Sequence, residues 1–292
     1  MTSIIDRLSQ FPVRVFAPLA VAVVLGGCSS VSMLYTFADY AIKDRAGDFF
    51  DLDETAEAQL DENIRALKDW HRKTMLPKYA SLLSDVAERA EAGPWTRPAV
   101  DGIFVRFRGL LDETARGAAP FAAAALAAHT SSDKISHFRQ ASAEYIHEEL
   151  EEETAPLDER IQESVERRTR TFERFVGALT DDQVEIVREH VRGMTGNRAL
   201  WLAHLEKRHR YLAQVLEANP DQALLADTVY RLSVRGHDLV DPAYERISER
   251  RWNALAAMYF DVLKSLNAEQ RKTLIATLKS YAADMRELST GS

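Results

Sequence analysis

The chain has 292 residues, a formal net charge of −8 at pH 7, 46% hydrophobic residues and a single cysteine. The acidic balance argues against nucleic-acid binding, which needs clustered positive charge, and gives no general attraction to anionic lipid. One cysteine excludes an intramolecular disulfide, so an apolar core must hold the fold, and the chain is long enough for one large or two small cores.

The first 28 residues have the pattern of a bacterial lipoprotein signal. Arg7 and Arg14 precede an apolar segment, residues 15–25, that is too short to span a membrane. Leu25-Gly26-Gly27-Cys28 resembles a lipobox, in which the cysteine thiolate takes up lipid and cleavage follows between Gly27 and Cys28. We therefore predict a cleaved signal peptide, residues 1–27, and a single helical domain, residues 28–292, anchored through Cys28. The alternatives are cleavage at another position or an uncleaved anchor.

The residues after Cys28 predict where the domain works. Ser29 stands where aspartate would signal retention in the inner membrane of enteric bacteria, so the sorting rule favours the outer membrane, facing the periplasm. The chain has almost no Ser/Gly-rich linker before its first helix, which places the domain close to the membrane surface. The partners predicted are the membrane, through the lipid, and an envelope protein. The oligomeric state stays open.

The remaining chain predicts an all-α fold. Segments of roughly 15–25 residues with helical spacing alternate with sparse Gly and Pro, and no alternating strand pattern of useful length is present. We expect a bundle of about eight to ten helices, some kinked at proline. Asn219-Pro220 and Asp241-Pro242 predict helix caps followed by a first-turn proline. The predicted helices cover 31–47, 53–76, 78–91, 132–153 and 157–178. Another is capped by Thr96, the Ala-rich residues 118–128 around Pro120 are interpreted as a tightly packed helix, and later helices begin near Thr180, Asn197, Asn219, Asp241 and Asn267.

Three helices begin alike, at Leu52-Asp53, Leu179-Thr180 and Leu266-Asn267. The second and third place Gln183 and Gln270 three positions after the capping residue, as in a capping box. These starts are explained by ordinary capping alone. They also resemble the Leu-Thr-x-x-Gln signature of Spy/CpxP-type periplasmic chaperones, a resemblance that implies a helical protein binding unfolded or misassembled envelope proteins.

A broader resemblance spans Cys28 to Leu288. The chain is similar to a family of proteobacterial lipoproteins of unknown function, and the resemblance implies a lipid anchor and a helical fold without supplying an activity. It rests on Trp70-His71-Arg72, Leu76-Pro77-Lys78-Tyr79, Leu52-Asp53, Leu179–Gln183, Ala199-Leu200-Trp201-Leu202 and the helix from Leu266 to Leu288.

Trp70, His71, Arg72 and Tyr79 are the candidate partner-binding residues. Trp and Arg are frequent in interface hot spots, and histidine can change charge near neutral pH. The alternative is structural: Trp70 packs in the core, Arg72 pairs with a nearby carboxylate and His71 lines a groove.

No metal or cofactor is predicted, because the eight histidines include no i,i+3 or i,i+4 pair and no nucleotide or hydrolase motif occurs. The acidic cluster 148–153 and the arginines of 160–170 predict a solvated, charged helix face. We expect a non-enzymatic protein that acts by binding, either as a chaperone-like or assembly factor or as a structural or regulatory adaptor for one folded envelope partner, such as a sensor or cell-wall enzyme. An unrecognised hydrolase would need a deep pocket lined by perturbed carboxylates or histidines.

Overall fold

A computed structural model describes residues 30–291, so the predicted signal peptide, Gly27 and Cys28 lie outside the described residues. The described chain is entirely α-helical apart from its connections, which confirms the predicted all-α class. The helices are α1 Ser30–Gly47, α2 Glu54–Thr74, α3 Leu76–Glu91, α4 Arg97–Leu126, α5 Ser132–Glu152, α6 Leu157–Val176, α7 Asp181–Gly193, α8 Asn197–Glu217, α9 Gln222–Val234, α10 Gly236–Val240, α11 Tyr244–Ser265 and α12 Ala268–Thr290.

The described part of the chain has more helices than the eight to ten that the sequence predicted. The boundary expected between residues 76 and 78 lies at Met75, and α3 begins with Pro77 in its first turn, a position that tolerates the missing N–H of proline. The five-residue α10 is a helix that the sequence did not predict. Pro120 does not interrupt α4, which continues through it to Leu126.

Two predicted helix caps are displaced along the chain. Asn219 has a positive φ of 47° and ends the preceding helix instead of starting the next one. Asp221 is the cap of α9, because its carboxylate accepts a hydrogen bond from the N–H of Leu224 at 2.8 Å. Asp241 follows α10, and α11 begins only at Tyr244. In both places the proline lies before the helix instead of inside its first turn.

Pairs of packed helices organise the described fold. The most extensive contact joins α3 to α12, where Glu91 pairs with Lys279 and Ser84 accepts a hydrogen bond from Arg286. Because the residue numbers run in opposite directions along the two helices, the pair is antiparallel. The other large contacts of the described fold join α4 to α9, α5 to α8, α2 to α4 and α6 to α7.

The core is divided into several apolar clusters, two of which border the site described below. One lies between α6, α7 and α11 and includes Val165, Val187 and Met258. The other lies where α5 ends and α8 begins, and includes Trp201 and Leu202. The α6–α7 hairpin therefore meets the α5–α8 pair along a seam. In the described range, none of the helices combines the length and the apolar character needed to cross a membrane.

Candidate functional site

The Trp-His-Arg block lies on the inner side of α2. His71 is 1% exposed, and its Nδ1 lies 3.3 Å from the hydroxyl of Tyr35. Burial lowers the pKa of His71 to about 4, so the ring is neutral at pH 7. Tyr79 is also buried; its hydroxyl shares a hydrogen bond with Thr114, and burial raises its pKa to about 12. Side chains buried in this way contact other helices of the same chain.

Trp70 and Arg72 are the more accessible members of the block. Trp70 is half-buried and lies flat against α4, where a Cβ added to Gly117 would come within 1.9 Å of its ring. The Arg72 guanidinium pairs with Asp69 at 3.3 Å. This arrangement agrees with the structural alternative for the block. Partner binding stays a prediction that now concerns the outward parts of Trp70 and Arg72, since His71 and Tyr79 are enclosed.

The two capping boxes meet inside the protein. Both have the full reciprocal geometry: Thr180 with Gln183, and Asn267 with Gln270. The two glutamine side chains then bond each other, Gln183 Nε2 to Gln270 Oε1 at 2.9 Å and Gln270 Nε2 to Gln183 Oε1 at 2.8 Å.

Each glutamine amide also donates to the backbone carbonyl two residues before the other cap. Gln183 reaches Ser265 at 3.2 Å and Gln270 reaches Ala178 at 2.9 Å. The contact has approximate twofold symmetry, and we name it the glutamine lock. The repeated helix starts therefore join the beginnings of α7 and α12, a structural task beyond local capping.

A cleft lined by arginines opens along the seam between the α6–α7 hairpin and the α5–α8 pair. Its volume is about 160 Å³. Its walls combine apolar side chains, including Ile161, Val191 and Met194, with charged ones. The cleft is lined by five arginines and three glutamates: Arg160, Arg167, Arg168, Arg198 and Arg251, with Glu152, Glu153 and Glu163. We call this site the arginine cleft.

One wall of the arginine cleft is a network of ion pairs. Arg198 pairs with Glu149, with Glu152 at 2.9 Å and with Glu153 at 3.2 Å. Glu153 also pairs with Arg160. The side chains of Arg198 and Glu153 are 16% and 18% exposed, so the network is largely shielded from water. The end of the acidic cluster is thus folded against arginines and is not a freely solvated face.

Helix α6 also contributes Arg168 to the lining, and no carboxylate of the described chain matches its charge. Its Nε is buried and makes no hydrogen bond, and Arg168 forms no ion pair within the described chain. Burial lowers the pKa of Arg168 from its usual range, and the nearby Arg251 lowers it further against an opposing effect from Tyr259. A guanidinium still remains protonated at neutral pH. Leaving a buried charge uncompensated is costly, so this side chain needs an explanation.

The neighbouring arginines add to the positive potential. Arg167 donates to Ser164 Oγ at 3.0 Å, and burial together with Arg168 and Arg198 lowers its pKa to about 10. Arg251 donates to the hydroxyl of Tyr244 at 3.1 Å. The arrangement suits an anion, because guanidinium groups bind carboxylate and phosphate oxygens through paired N–H donors.

The sequence prediction treated these arginines as a solvated helix face, and for Arg168 that is wrong. Ile161, Val165 and Phe172 form the buried stripe of α6, and Arg168 falls between the last two at the same helical spacing. The position of Arg168 within the apolar stripe of α6 was the signal in the sequence that could have indicated this site. The histidines gave no comparable signal. Within residues 30–291, no group of three or more His, Cys, Asp or Glu residues is placed to hold a metal ion.

Comparison with known protein families matches residues 48–244 to DUF6279, a family of unknown function. The chain belongs to this family. The match covers α2 to α10 and includes every residue of the arginine cleft except Arg251. No curated protein and no solved structure matches the chain. The resemblance to a family of unknown function is therefore confirmed, whereas the similarity to the Spy/CpxP-type chaperones stays a prediction.

Proposed function

We propose that this protein is an outer-membrane lipoprotein, anchored through Cys28, that binds one folded envelope partner at the arginine cleft. The observation that carries the proposal is Arg168, a half-buried arginine that lines the cleft, whose Nε is buried without a hydrogen bond and which pairs with no carboxylate in residues 30–291. An anionic group on a partner would supply the missing charge. The proposed role is recognition, without a chemical reaction.

The surface around the arginine cleft supports protein binding. Leu150, Leu157 and Leu200 are exposed by 42%, 50% and 48%. They lie near the end of α5 and the starts of α6 and α8, the helices that form the cleft, and Leu157 lines the cleft itself. A charged pocket flanked by apolar side chains is typical of interfaces in which a few residues supply most of the binding energy.

The described surface favours the adaptor over the chaperone-like alternative. A protein that captures unfolded clients needs a broad exposed apolar face. In residues 35–291, the large exposed apolar side chains are few and fall in small separate groups: Phe37 and Tyr40 on α1, Val105 on α4, Leu224 on α9, and Leu150, Leu157 and Leu200 beside the cleft. We therefore expect no suppression of client aggregation by a several-fold excess of the protein. Strong suppression of client aggregation would favour the chaperone-like function instead.

Photo-cross-linking in living cells tests the proposal. A cross-linking amino acid at position 200, beside the cleft, should give one dominant protein adduct. The matched control is position 105, where Val105 is exposed by 69% on α4, a helix that contributes no residue to the lining of the cleft. Position 105 should give little or none of that adduct. A broad smear from position 200, or equal adducts from both positions, would contradict the proposal.

A further inference from the structure

We propose that the arginine cleft binds the carboxylate of a polypeptide C-terminus and encloses its last, apolar side chain. The inference rests on the proposed function and names the group of the partner that enters the cleft. It follows from three features: the unmatched guanidinium of Arg168, a glutamate that shares the cleft, and the apolar part of its lining.

The charges of the lining favour an anion of low charge. Arg168 offers a positive charge that no carboxylate of the described chain pairs with. Glu163 lines the same cleft outside the ion-pair network of Arg198 and would repel a second negative charge. A phosphate monoester is close to dianionic at neutral pH, and a carboxylate is a monoanion that a guanidinium can bind through two parallel N–H donors. Glu163 thus favours a carboxylate.

The size and lining of the cleft favour a carboxylate with an apolar group beside it. An apolar cavity of about 150 Å³ holds a benzene molecule. The cleft, at about 160 Å³, therefore accommodates one side chain of leucine size. Ile161, Val191 and Met194 line the apolar part, and Ser164 and Thr195 add hydroxyls for the terminal peptide group. Capture of a terminal carboxylate is a recurring mode of peptide recognition.

Titration calorimetry on the full-length protein in a nonionic detergent tests the inference. The ligands are acetyl-Ala-Ala-Leu with a free C-terminus, the same peptide as its C-terminal amide, and inorganic phosphate. We expect the free acid to bind at least tenfold more tightly than the amide and more tightly than phosphate. Failure of the acid to bind, equal binding of the amide, or tighter binding of phosphate would each overturn the inference.

Variants separate ligand recognition from folding. Arg168→Gln should weaken binding of the free acid at least tenfold, whereas Arg168→Lys should retain part of it. The control is Arg170→Gln, because Arg170 lies exposed on the same helix, near Glu166 at 3.7 Å, and should leave binding unchanged. Arg168→Gln should also keep or raise the Tm of the unliganded protein, since it removes an uncompensated charge. A lowered Tm together with unchanged peptide binding would assign Arg168 a structural role and overturn the inference.

The two proposals fail in different ways. If the peptide does not bind but position 200 still gives one dominant adduct in cells, the partner is real and its C-terminus is not what the cleft holds. If the adduct is also missing, the proposed function fails with the inference.

Discussion

Removing one side of the glutamine lock should destabilise the protein far more than removing an exposed glutamine. Gln183→Ala deletes the return bond from the N–H of Thr180 at 3.0 Å, the bond to Ser265 and both bonds to Gln270. It also leaves the Ser265 carbonyl and part of the Gln270 amide without these partners. At about 1 kcal/mol of net stability for each of these four lost bonds, the free energy of unfolding should fall by about 4 kcal/mol.

A double-mutant cycle isolates the contact between the two amides. Gln270→Ala should cost a similar amount. The double variant should be less destabilised than the sum of the single variants by about 1–2 kcal/mol, because the two mutual bonds are then counted once. Urea unfolding of the chain from residue 29, which contains all described helices, gives these values. Gln140→Ala is the control, since Gln140 is exposed and bonds only Glu144, and it should cost under about 0.5 kcal/mol. Additive single effects, or losses as small as the control, would refute the lock.

Burial lowers the pKa of His71 and His129 to about 4 and of His204 to about 3, so below pH 6.5 the unfolded chain binds protons that the folded chain does not. The free energy of unfolding, measured in urea, should therefore be lower at pH 5 than at pH 7 by about 1–2 kcal/mol per histidine. Equal stability at the two pH values would contradict this. Gly117→Ala should destabilise the protein by about 1–3 kcal/mol, because the added Cβ would meet the Trp70 ring. Gly102→Ala, in the same helix, places its Cβ in open space and should stabilise the protein by about 0.5–1 kcal/mol. Thermal unfolding of both variants checks the prediction, and equal effects would rule out the Trp70 contact as the cause. Cys28→Ser should move the protein out of the outer-membrane fraction and abolish fatty-acid labelling. Unchanged fractionation would contradict the proposed lipid anchor.

The sequence was sufficient for the helical class and for much of the helix pattern. Apolar spacing and capping residues are local signals, so the starts at Asp53, Thr180 and Asn267 could be predicted from a few residues each. Local signals misplaced the cap at Asn219, because asparagine also tolerates positive φ and can end a helix.

Contacts between distant segments could not be predicted in the same way. Gln183 and Gln270 are 87 residues apart, and nothing in either capping box specifies the other. The arginine cleft depends on how α5, α6, α8 and α11 pack, which sequence periodicity does not determine. Arg168 left a trace in the sequence as a charge within the apolar stripe of α6, but only the packed structure shows that no carboxylate meets it.

The central claim is that the unmatched charge of Arg168 holds one envelope partner. Photo-cross-linking from position 200 in cells that carry either the native chain or Arg168→Gln tests it most directly, with both proteins present at equal amounts in the outer membrane. We expect one dominant adduct with the native chain and its loss with Arg168→Gln, whereas Arg170→Gln keeps it. The same adduct at the same yield with Arg168→Gln would show that Arg168 does not hold the partner.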